Sequence, residues 1–128
     1  MEAHSITQAM LVELGFLESI ARRLPGDTGV LKALADLYTR VGRHAEGLLI
    51  DQRLSVLLPH DPLVWYNLGC SLALMDRHDE ACAALDNAIA KGYRDWRWMQ
   101  EDQDLRALHH NARFSELIKR LATQTIPP

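Results

Sequence analysis

The residues in this chain whose types suit chemistry are six histidines, two cysteines and a short run of carboxylates. Cys70 would be a thiol nucleophile if a base stood beside it, and Cys82 follows it on what reads as the facing helix. A cysteine on a helical packing face behaves as a small hydrophobe. His44 and His78 repeat at a fixed spacing, which invites a shared metal, but a metal site needs three or four ligands and no third residue follows the pattern. His109 and His110 are adjacent, so on a helix they point about 100° apart and do not face one ion. Glu101, Asp102 and Asp104 supply carboxylates, but acid–base work needs a substrate cleft. Their positions suit helix caps and first-turn charges favoured by the dipole. No glycine-rich phosphate loop is present. The expectation is a protein that is not an enzyme, with no catalytic residue, no metal and no cofactor.

The other chemically suggestive stretch is WYNLG at 65–69. Trp65 and Tyr66 beside Asn67 suggest a ligand site, whereas Leu68 and Gly69 suggest close packing. On a helix these residues divide between two faces. Tyr66 and Asn67 turn one way, and Trp65, Leu68 and Gly69 belong to the packing side.

Composition bounds the elements that hold these residues. The chain has 128 residues, 48% of them hydrophobic, with a formal net charge of -3. That length suits one domain, 1–128, with a modest core. Leu and Ala dominate over Val and Ile, which favours helix. No long basic stripe is present, and Arg94, Arg97 and Arg106 near Tyr93, Trp96 and Trp98 are offset by Asp95, Glu101, Asp102 and Asp104. Nucleic acid is therefore not an expected partner. No close cysteine pair suggests a disulfide scaffold, no basic-then-apolar leader opens the chain, and no apolar run reaches membrane-spanning length. These features predict a cytoplasmic protein with no membrane association.

A spacing of 34 residues runs through the sequence. It relates Pro25 to Pro59, Asp27 to Asp61 and Asp95, Leu31 to Trp65, Leu34 to Leu68, Arg43 to Arg77 and His44 to His78. A period of this size marks stacked supersecondary units. Within each period the apolar residues recur at helical spacing, predicting helices over 29–41, 44–57, 62–75 and 78–91. A further helix is predicted over 5–24, with Ser5 as cap, Gln8 as its capping-box partner, and Ile6, Met10, Leu14, Leu17 and Ile20 as its apolar positions. After Asp95 the repeat positions are lost. A short helix near 95–101, another near 102–110 and a clearer one over 111–123 are expected. Asn111 is the cap of the last, and Phe114, Leu117, Ile118 and Leu121 face inward.

This pattern resembles the tetratricopeptide repeat. In 62–95, Trp65, Leu68, Gly69, Ala81 and Ala88 stand where that family has a large aromatic, Leu, Gly, Ala and Ala, with Leu72 and Leu85 replacing two aromatics. The unit 28–61 shares the phase through Leu34, Ala35, Tyr38, Gly42 and Pro59. It departs with Leu31, Gly47, Leu54 and above all Asp51, a carboxylate at a nominal core position that must reach solvent or a partner. Residues 92–121 look like a closing segment that follows such repeats in some bacterial proteins. The resemblance implies an all-α fold, a right-handed superhelix of antiparallel hairpins. Its parts are an N-terminal cap helix over 5–24, repeats over 28–61 and 62–95, and closing helices over 96–123.

It further implies a protein–protein interaction module, an adaptor or chaperone-like protein, that binds a peptide segment or partner helix on the face lined by the first helix of each unit. In that register the partner-binding residues are Lys32, Asp36, Thr39 and Arg40 of the first unit, and Leu63, Tyr66, Asn67, Cys70, Ala73 and Leu74 of the second. One subtype grips a C-terminal carboxylate with a Lys and two Asn. Lys32 and Asn67 match two of those positions, but Asp36 replaces the other Asn and would repel a carboxylate. Two readings compete with an open groove. The closing segment, through Trp96 and Trp98, can cover its apolar end. The chain can also be a self-associating homo-oligomer, joined through the first unit or the N-terminal helix.

Overall fold

The structure is a computed structural model that describes residues 6–124. Among the described residues it is all-helical: α1 (Gln8–Arg23), α2 (Thr28–Arg40), α3 (His44–Leu57), α4 (Pro62–Leu74), α5 (His78–Ala90), α6 (Trp96–Glu101), a 3-10 helix (Gln103–Leu108) and α7 (Ala112–Gln124). None of these helices is long and apolar enough to cross a membrane. The chain forms two compact units that divide between Leu58 and Pro59, close to the expected junction of the two repeats.

The aspartates at the 34-residue spacing explain where helices begin. An unpaired N–H at a helix start needs an acceptor, and a short carboxylate with extended backbone supplies it. Asp27 accepts from the Val30 N–H at 3.0 Å, Asp61 from Leu63 at 3.0 Å and Asp95 from Trp98 at 3.0 Å. The turns inside the two hairpins recur at the same spacing, with positive φ on the first residue past the helix cap, 82° at Gly42 and 58° at Asp76. The connection from α5 to α6 uses the same geometry at Gly92, with φ 120°. The residue after each then closes back on the helix, with Arg43 N to Tyr38 O at 2.8 Å, Arg77 N to Leu72 O at 2.9 Å and Tyr93 N to Ala88 O at 2.9 Å. This is the glycine-type C-terminal motif that satisfies the last carbonyls, with Asp76 adopting the left-handed conformation that glycine holds in the other two.

The first unit packs α2 between α1 and α3. Leu14, Leu34, Leu37, Tyr38 and Val41 form its central cluster, with Met10, Leu17, Ala21 and Ile50 against it. Ile6, the first of the apolar positions assigned to the N-terminal helix, precedes α1 and is exposed. The N-terminal helix also starts later than the sequence suggests. Ser5 lies outside the described residues, Thr7 is the cap, its Oγ1 accepting from Met10 N at 3.1 Å, and Gln8 is the first helical residue rather than a capping-box partner. Asp51 is buried, as its core position implies, and is not left without a partner.

Tyr38 ties this unit together. Its hydroxyl donates to Glu18 Oε2 at 2.5 Å, and the Arg43 guanidinium lies over its ring at 5.1 Å. Burial, then the hydrogen bond to Glu18, pushes the phenol up to about 12. An unfolded tyrosine ionises near pH 10. The folded state therefore keeps a proton that the unfolded state has already lost. The associated stability is complete below about pH 10 and is lost as the pH rises through about 12. Urea midpoints measured between about pH 9 and about pH 12 are expected to fall, and to fall less for Tyr38→Phe.

In the second unit α5 packs against both α4 and α7, and the 3-10 helix packs against α4. Helix starts do not lose the repeat after Asp95. Thr28, Pro62 and Trp96 begin first helices, and His44, His78 and Ala112 begin second ones, each 34 residues after the last. What changes is length. At the position of Leu34 and Leu68 the chain has Asp102, whose extended backbone (φ −65°, ψ 122°) ends α6 after six residues. The Asp102 carboxylate then caps the 3-10 helix, accepting from Asp104 N at 3.0 Å. Asn111 caps α7 as expected, and Phe114, Leu117 and Leu121 are buried, with Ile118 partly so.

Candidate functional site

The expected partner-binding residues fall on two helices, one in each unit. On α2, Lys32, Asp36 and Arg40 are exposed along one face. Arg40 pairs with Asp36 at 3.2 Å. Thr39 turns its hydroxyl back to the Ala35 carbonyl at 3.2 Å and is partly buried. An exposed pair at this spacing is worth only about 0.3–0.5 kcal/mol, so the face is an ordinary charged surface open to solvent.

On α4 the outcome differs. Leu63 and Asn67 are exposed and Leu74 is partly buried. Tyr66, Cys70 and Ala73 are buried, Tyr66 to 4% exposure, so they present no surface to a partner. The chain's own closing segment lies there. Tyr66 donates its hydroxyl to Asp102 Oδ2 at 2.7 Å and stacks on Tyr93 with ring centroids 4.5 Å apart. Tyr93 in turn donates to the Asp95 carbonyl at 2.9 Å. The Cys70 thiol sits 3.7 Å from the same Asp102 oxygen. Burial, then the neighbouring Cys70 and Asp102, drives the Tyr66 phenol far above its ordinary value, so it acts as a fixed donor.

Trp98 is not what closes this face, and Trp96 is only partly buried. Trp98 is 52% exposed, whereas Met99, Leu105 and Leu108 are fully buried. Trp65 is part-buried and donates its indole N–H to the Pro59 carbonyl at 2.8 Å, pinning the entry to α4. Gly69 does what its place in WYNLG suggests. A Cβ there would lie 2.7 Å from Leu85 Cδ2 and 2.8 Å from its Cγ.

Cys70, Asp102 and Asp104 bring a thiol and two carboxylates within 4.8 Å of one another. Both Asp102 oxygens are already engaged, one by Tyr66 and one by the Asp104 N–H, so the group works as a latch between α4 and the 3-10 helix. Cys82 is buried, and burial pushes its thiol above the ordinary value, away from the reactive thiolate.

A further exposed surface lies on α1, the N-terminal helix that the self-association reading named without its residues. Leu11, Val12 and Phe16 are 46%, 64% and 63% exposed, and nothing lies within 4 Å of a Cβ built on Gly15 between them. The signal is present in the sequence. Residues 10–20, MLVELGFLESI, are apolar around more of the helix than one core-facing stripe requires. No protein-family model, no curated protein and no solved structure matches the chain, so its function is read from this geometry.

Proposed function

We propose that this chain is a non-catalytic protein–protein interaction module, a helical repeat of the tetratricopeptide type that docks another protein on the outer face of α1. The repeat reading is supported by the 34-residue recurrence of helix starts, aspartate caps and turn geometry. The docking reading rests on one observation, the solvent-exposed Leu11, Val12 and Phe16 along a single helix. Apolar side chains grouped on one exposed helix face suit an interaction surface, unlike ones scattered singly. The face of α4 is a poorer choice because its own closing segment occupies it. The exposed face of α2, with Lys32, Asp36 and Arg40, offers polar contacts but no apolar anchor.

Affinity purification from the native cells separates these faces. A Val12→Glu/Phe16→Glu variant is expected to lose a stoichiometric partner that the wild type and a Lys32→Ala/Arg40→Ala variant both retain. Equal recovery by all three would overturn the assignment to α1.

A further inference from the structure

We propose that the second unit holds a binding site for a small aromatic carboxylate, in the cleft between α6, the end of the 3-10 helix and α7; the site stands apart from the reading of α1. The cleft offers about 400 Å³ and is lined by Gln100, His109, Phe114, Ser115, Ile118 and Lys119. That volume falls within the roughly 300–1,000 Å³ of small-molecule sites. One wall is apolar and flat. Phe114 is buried and Ile118 partly so, and the His109 ring lies within 20° of parallel to Phe114, with centroids 6.1 Å apart. A planar ring settles against such a wall by offset stacking.

The polar side chains around this wall are unspent. On the flank of α7 that meets α5, Arg113 donates to the Asp79 carbonyl at 3.4 Å and Arg120 pairs with Asp86. On the cleft side, the side chains of Gln100, His109, Ser115 and Lys119 have no hydrogen-bond or ion partner among the described residues. Four such groups beside one apolar wall suit a ligand that carries acceptors.

Charge fixes the kind of acceptor. Among the described residues, Lys119 brings the lining's one permanent charge, and no carboxylate lines the cleft. Carboxylates line two further clefts of similar size, Glu18 in one and Asp86 in the other. Ser115 and Lys119 lie four residues apart on α7, neighbours on one helix face. Together they offer a hydroxyl and an ammonium to the two oxygens of one carboxylate, and the Gln100 amide and His109 imidazole supply further N–H donors. A neutral ring forfeits the ammonium, and a small anion without a ring forfeits the wall. The ligand's small size limits the dissociation constant to the order of 1 mM.

Titration of the purified chain with sodium benzoate, followed by amide chemical shifts, is expected to move the signals of Gln100, His109, Ser115 and Lys119 to saturation. Acetate and benzyl alcohol are each expected to bind at least about tenfold more weakly. Lys119→Glu is expected to weaken benzoate at least about tenfold and to take up benzamidine, a flat cation, in its place. Ser115→Ala keeps the charge and is expected to weaken benzoate about fivefold. Both positions are exposed, so both variants are expected to stay folded. No saturable shift at the four residues, or a benzoate affinity unchanged by Lys119→Glu, would overturn the site. Phenyl phosphate binding at least about tenfold tighter than benzoate would overturn the carboxylate in favour of a phosphate.

Discussion

Asp102→Ala is expected to destabilise the second unit by about 2–3 kcal/mol in urea denaturation, the sum of two losses. The Tyr66 hydroxyl would lose its acceptor while remaining buried, and an orphaned buried donor costs about 1–3 kcal/mol. The Asp104 N–H would lose its cap, worth about 1 kcal/mol. Relief of a buried carboxylate offsets part of this. The same arithmetic separates a latch from simple packing. Tyr66→Phe alone is expected to cost about 1–2 kcal/mol, and the double variant less than the sum of the singles by about 1 kcal/mol. Strict additivity would mean that Tyr66 and Asp102 do not hold each other. Asp102→Asn keeps one acceptor oxygen and turns the other into an N–H donor, so it serves only one of the two donors and is expected to recover only part of the loss.

Gly69→Val is expected to cost about 1–3 kcal/mol by overpacking. Leu85 is fully buried, and both its Cγ and Cδ2 stand at 2.8 Å or less from the new Cβ, so the leucine must move bodily rather than swing its tip. Gly47→Ala is the control. A Cβ there meets Thr39 Oγ1 at 3.4 Å and Tyr38 Cβ at 3.5 Å, ordinary contact distances. Alanine at 47 is therefore expected to raise stability by about 0.5–1 kcal/mol through helix propensity. A thermal melt that fails to separate the two glycines would contradict the packing assigned to Gly69.

Much of the fold is legible in the sequence because caps and turns are local chemistry. An aspartate before an apolar-periodic run predicts where α2, α4 and α6 begin, and the structure places all three there. Periodicity also reports which residues share a face, and so it groups Tyr66, Cys70 and Ala73 correctly. It does not report what covers that face. The cover is a segment more than thirty residues on, held by Asp102, whose role depends on breaking the helical pattern. Side-chain size misleads in the same place. The bulk of Trp96 and Trp98 suggests that they fill the groove, but a six-residue helix leaves one flank in water, and smaller Met99, Leu105 and Leu108 take the buried positions. The surplus of apolar residues on α1 is visible in the sequence as well. Spacing alone does not say which apolar flank a neighbouring helix covers, so only three-dimensional exposure singles out Leu11, Val12 and Phe16.

The placement of the three tryptophans has an optical consequence. Trp65, Trp96 and Trp98 all belong to the second unit, and no indole precedes Leu58. Red-edge excited emission therefore reports on residues after 58 alone, while far-ultraviolet ellipticity weighs every helix. Comparing the two midpoints on one sample counts the cooperative steps of unfolding without a label. A substitution at Gly69 or Asp102 moves the emission curve directly, and one on α1 moves it only to the extent that the two units melt together.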